Sequence, residues 1–138
     1  MNKWKVESEF EHEGLKCVVL MTNIGHRCGY VGVSEAHPLF GKDYDDLPDD
    51  INVHGGVTYA GGEGGYPIPD GLWWFGFDCA HYGDANDYEQ AFKYGLVDKN
   101  TYSVMNGIYN KINTYGVVRS LNYCTEECKR LAVQLSKQ

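Results

Sequence analysis

Residues 72–78, LWWFGFD, limit the fold more than any other stretch, because apolar side chains occupy both alternating sets of positions. Successive side chains of a strand point to opposite faces. A strand that is apolar on both must therefore run inside a sheet covered on both sides. At most one of Trp73 and Trp74 can look into any one pocket, so at least one belongs to the core. The run passes without a spacer into DCAHYGD, residues 78–84. Reactive side chains thus emerge where a rigid strand meets a loop, a common place for function.

The rest of the chain reads as strands followed by helices. Trp4, Val6 and Phe10 alternate with charged residues, His12-Glu13-Gly14 makes a turn, and LKCVVLM (15–21) closes a hairpin. RCGYVGV (27–33) predicts a third strand whose glycines allow close packing. Residues 34–50 are acidic and turn-rich, with a short helical turn expected near 43–47. INVHGGVTYAG (51–61) has strand character, and GGEGGYPIPDG (61–71) is a Gly- and Pro-rich loop. A helix over 84–92 with Asp84 as N-cap, a second over 100–113 and a short strand in 114–120 follow. Leu121, Cys124, Cys128, Leu131, Ala132 and Leu135 form an apolar stripe, so 121–136 is a helix capped by Ser120. The fold class is α+β: a single domain over residues 1–138, a mostly antiparallel sheet with the C-terminal helix packed on it.

Charge narrows the partners. The net charge is −7, with 12 Lys and Arg against 19 Asp and Glu. No basic stripe is present to follow a phosphate backbone, which argues against nucleic acid. The acidic balance also disfavours an anionic membrane surface. The N-terminus lacks the pattern of a secretory signal, and no apolar run has transmembrane length. Five cysteines without a CxxC pair fit reduced thiols in a cytoplasm.

The candidate site follows from pairing 51–60 with 72–78. Such a hairpin sets Asp78 near the start of the first strand and brings His54, Asp78 and His81 together. Several chemistries fit these residues. The three could hold a divalent metal as two imidazoles and a carboxylate, or share acid–base work. Cys79, on the same side of an extended segment as His81, could act as a nucleophile with His54 or His81 as base. A ligand pocket could use His54, Asp78, His81 and Asp84 for fixed hydrogen bonds, with Gly55 and Gly56 allowing close backbone approach. Tyr59, Trp73, Trp74, Tyr66 and Tyr82 are candidate walls, and Arg27 or Arg119 could meet a phosphate or carboxylate. Asp78 and His81 could instead only pin the strand end. His26 can join the site, whereas His12 and His37 belong to turns.

Two unbroken words, H-G-G-x-T-Y at 54–59 and W-W-F-G-F-D-C-A-H-x-G-D at 73–84, together with GYVGVSEAHPLFGKDYDD at 29–46, carry a resemblance. The chain resembles a family of small bacteriophage and prophage proteins over residues 29–84, and more loosely over the C-terminal helix. The stretch between Asp84 and Thr114 departs from that pattern. The resemblance brings no reaction with it. It implies a host-cell cytoplasmic protein with an anti-defence role, one that binds or inhibits a host component, such as a nucleotide-derived immune signal.

The leading expectation is thus a small-molecule-binding protein that sequesters a nucleotide-like ligand. The site residues are His54, Gly55, Gly56, Tyr59, Asp78, His81, Asp84 and Arg27. One alternative is a hydrolase that uses His54, Asp78 and His81 with or without a metal. The other is an inhibitor of a host protein through exposed aromatics such as Tyr66. No motif demands a cofactor, and a divalent metal is the one the residues allow. A pocket of this type could be completed between subunits of a homo-oligomer.

Overall fold

The computed structural model describes residues 3–62, 71–112 and 116–138. Strand β1 (Trp4–His12) turns into β2 (Leu15–Thr22), followed by β3 (Arg27–Val33). Glu13 and Gly14, at φ 53° and 76°, make the two-residue turn, and His12 pairs with Leu15. Positive φ at both positions matches the twist of the flanking strands. Beyond a 3-10 turn at Tyr44–Asp46 come β4 (Tyr59–Gly61) and β5 (Trp73–Asp78). These five strands form one antiparallel sheet in the order β1-β2-β3-β5-β4. The apolar run of β5 lies inside the sheet, as its pattern requires.

Helix α3 (Leu121–Ser136) packs on one face of the sheet, with Ser120 accepting from Tyr123 N at its start. Its buried Cys124, Cys128, Leu131, Ala132 and Leu135 meet Cys17, Val19, Val31, Phe75 and Phe77. Gly29 makes that close approach possible. A Cβ there would come within 2.4 Å of the Phe77 ring and 2.6 Å of Cys128 Sγ. The other face carries Val18, Leu20, Cys28, Tyr30 and Trp74. Helices α1 (Tyr88–Lys93) and α2 (Lys99–Ile112) pack on each other, and Ala91, Leu96 and Val97 cover Met21. Among the described residues, no helix is long and apolar enough to cross a membrane.

Two expectations need correction. Of the strand expected over 51–61, only 59–61 is extended into the sheet. Gly55 and Gly56 take φ of 69° and 81°, which breaks the extended path. The backbone of 52–54 is held instead by α3: Asn52 N donates to Gln134 Oε1 at 2.6 Å and His54 N to Glu127 Oε1 at 2.8 Å. The helix expected to start at Asp84 starts at Tyr88, capped by Asp87, whose Oδ1 accepts from Gln90 N. Asp84 and Ala85 form β6, a two-residue strand parallel to β7 (Val117–Val118). Most of the expected 61–71 loop, including Tyr66, and residues 114 and 115 lie outside the described residues.

Candidate metal and ligand site

β5 ends at Asp78, and the chain then turns back within a few residues. Asp84 N donates to His81 O at 2.9 Å, which places Tyr82 and Gly83 at the tip of a β-turn. Gly83 has φ 91°, the conformation that a type II turn requires of its third residue. The turn pushes Tyr82 fully into solvent, so it forms no pocket wall. It also folds the Asp84 carboxylate inward, where it is 1% exposed.

Four donor contacts converge on Asp84. Arg119 Nε donates to Oδ1 at 2.8 Å, His81 N donates to Oδ2 at 3.0 Å, and His54 Nε2 lies 3.0 and 2.9 Å from the two oxygens. Burial raises the carboxyl pKa, but the hydrogen bonds from His54, Arg119 and His81 outweigh it and hold Asp84 below its ordinary value. His54 is oriented from its other side by Tyr123, whose OH is 2.8 Å from Nδ1. With Nε2–H on Asp84, Nδ1 accepts from Tyr123. With Nε2 on a metal, Nδ1–H donates to the same oxygen. Arg119 also lies over the Tyr123 ring at 5.2 Å.

His81 is the unusual member. Its Nδ1 is a buried atom without a hydrogen-bond partner. Asp78 Oδ1 lies 3.4 Å away and Asp84 Oδ2 3.8 Å, ion-pair distances without hydrogen-bond geometry. One ligand atom each from His54, His81 and Asp84 fall within 4.8 Å of one another, so this group could hold a metal ion. Two imidazoles and a carboxylate suit Zn²⁺ or Fe²⁺, and three protein ligands leave coordination positions open. The unpartnered Nδ1 fits that use, because a lone pair there has nothing else to bind. The carboxylate in this group is Asp84, where the sequence pointed to Asp78. Asp78 borders the group and is fixed by Thr58 Oγ1 and Ala80 N. Gly55 packs its backbone against the His81 ring.

Beside the trio a cleft of about 560 Å³ opens on the sheet face away from α3. Its origin lies in the strand register. Tyr30 and Tyr59 both pair with Gly76, which lacks a side chain, so their rings meet above it at 5.5 Å, edge to face. Cys28 pairs with Asp78, which adds the carboxylate to the same face. His26 and His81 complete the polar side. Burial lowers the His26 pKa, only partly opposed by Asp78 and Asp84.

The other candidates are placed elsewhere. Arg27 is 6% exposed, with Nε 2.6 Å from Glu7, NH1 3.2 Å from Asp87 and NH1 also donating to Arg119 O. Two carboxylates already balance its charge, so it is not set to meet a ligand anion. Trp74 is wholly buried, and Trp73 donates to Lys42 O and packs near Phe40. Cys79 points into the core with Sγ 3.5 Å from Cys124 Sγ. The hydrogen bond to Cys124 and burial both raise its pKa, which argues against the nucleophile reading. His37 accepts from Leu39 N and donates to Leu135 O, a loop-shaping role.

Sequence reasoning missed Tyr123, Glu127 and Tyr30. Tyr123 and Glu127 are four apart on α3, a polar pair bordering the apolar stripe. Glu127 is buried, and Arg130 balances its charge at 2.8 Å. Comparison with family models, curated proteins and solved structures finds no match for this chain.

Proposed function

We propose that the protein binds a small ligand in the cleft beside β5 and acts on it hydrolytically through a divalent metal held by His54, His81 and Asp84. The observation that carries this reading is the buried, unpartnered Nδ1 of His81, aimed at a carboxylate and a second imidazole. The other two members have partners: His54 in Tyr123, Asp84 in Arg119 and His81 N. A metal in such a site polarises a ligand oxygen and lowers the pKa of water. The chain's own residues do the rest. Tyr123 sets the His54 ring, Arg119 sets the carboxylate, and Tyr30 and Tyr59 hold the apolar part of the ligand.

The aromatic pair also supports a second reading, sequestration without turnover, in which a flat, nucleotide-like ligand from the host cell rests on Tyr59. One experiment separates the two. Zinc- or manganese-loaded protein is incubated with chromogenic phosphate, phosphodiester, ester and amide substrates. Any ligand co-purifying with the protein is released by denaturation and weighed. Multiple turnovers that vanish in His54→Ala with the fold kept support the hydrolase. A stoichiometric ligand recovered intact, with no turnover, supports sequestration and contradicts the hydrolase.

A further inference from the structure

The cleft has a charge pattern that selects among ligands. Its one carboxylate among the described lining residues, Asp78, is 32% exposed and held in place by Thr58 and Ala80 N. No lysine or arginine lines it among those residues. Residues 43–92, which supply most of the lining, contain no Lys or Arg. The two arginines nearest in the fold are occupied, Arg27 by Glu7 and Asp87, and Arg119 by Asp84. A phosphate or carboxylate placed here would face Asp78, with no lysine or arginine among the described lining residues to balance it. A cation would meet a fixed carboxylate and, alongside it, the faces and edges of Tyr30 and Tyr59. Carboxylate plus aromatic rings is the combination that recognises organic ammonium groups.

We infer that the cleft receives the ammonium group of a small organic cation, with the charge against Asp78 and the adjoining apolar part against Tyr30 and Tyr59. Burial disfavours the charged form of His26. The inference rests on the cleft being a ligand site, but not on the metal. It changes the expected ligand. A nucleotide's base could stack on Tyr59, but its phosphate would meet no lysine or arginine among the described lining residues.

The test compares phenethylamine, phenethyl alcohol and phenyl phosphate by NMR titration of the ring resonances of His26, Tyr30 and Tyr59. Wild type, Asp78→Asn and Tyr59→Leu are each run metal-free and zinc-loaded. The expected result in metal-free protein is binding of the amine at least tenfold tighter than the alcohol, with no saturable binding of the phosphate. Asp78→Asn should remove the preference for amine over alcohol, whereas Tyr59→Leu should weaken both and keep the preference. The inference is overturned if phenyl phosphate binds metal-free protein as tightly as the amine does. It is equally overturned if Asp78→Asn leaves amine affinity unchanged, or if none of the three probes shifts these resonances. Amine binding without zinc uptake would support the inference and sink the metal reading. Zinc uptake without amine binding would do the reverse.

Discussion

Gly55 and Gly56 provide a matched pair of substitutions that isolates the geometry of the metal group. Both have positive φ, 69° and 81°, so alanine at either carries the same left-handed backbone strain. That strain costs roughly 1–2 kcal/mol, offset in part by a stiffer unfolded chain. The two differ in surroundings. A Cβ on Gly56 meets nothing within 4 Å, whereas a Cβ on Gly55 lies 2.4 Å from His81 Cε1 and 2.6 Å from Nδ1. Ordinary contact begins at 3.4 Å, so the ring must retreat by 3.4 − 2.4 = 1.0 Å. The His81 side chain is 37% exposed and has room to swing. The clash therefore adds little to the loss of stability, and the two variants should unfold within about 1 kcal/mol of each other in urea. Metal binding should separate them sharply. Metal–ligand distances hold to within about 0.2 Å, so a ring pushed by about 1.0 Å should no longer meet the geometry of the candidate group. Gly55→Ala should lower zinc affinity at least tenfold, and Gly56→Ala should leave it near wild type. Competition with a chromophoric chelator reads both. Equal zinc affinity in the two variants would show that His81 is not a ligand.

Other consequences are more local. Gly29→Ala forces a methyl against Phe77 and Cys128, both fully buried, and should destabilise by about 1–3 kcal/mol in urea denaturation. His26 has a folded pKa below its ordinary 6.5 because burial disfavours the charged form. The unfolded chain then takes up its proton first, so this contribution to stability is complete above pH 6.5 and is lost as pH falls through the folded pKa. His26→Asn should flatten the urea midpoint profile in that window, and an unchanged profile would contradict the assignment. Cys79 and Cys124 should resist iodoacetamide in native protein at pH 8 and react only after denaturation, as peptide mass spectrometry would show.

Much of the scaffold is legible in the sequence, because it repeats a period. Alternation over 4–10, the two-faced apolar run of 72–78 and the stripe from Leu121 to Leu135 each state their element and their buried side. The site is less legible. Asp84 stands before a helix-like segment and reads as an N-cap, but the turn at Tyr82-Gly83 folds it inward. Ile51, Val53 and Val57 have strand propensity, but two glycines at positive φ and the side chains of α3 override it. His54 and His81 were within reach of local reasoning because one hairpin joins their segments. Tyr123 comes from a helix 69 positions after His54. Tyr30 enters the cleft only through its shared pairing with Gly76. Neither relation has a local signature.

Zinc K-edge X-ray absorption on the loaded protein decides whether His54, His81 and Asp84 hold a divalent metal. The expected result is one zinc per chain in a shell of nitrogen and oxygen only, at about 2.0–2.2 Å, with imidazole scattering that diminishes in His81→Ala. Failure to load stoichiometrically, or a sulfur shell at about 2.3 Å from the buried cysteines, would contradict it.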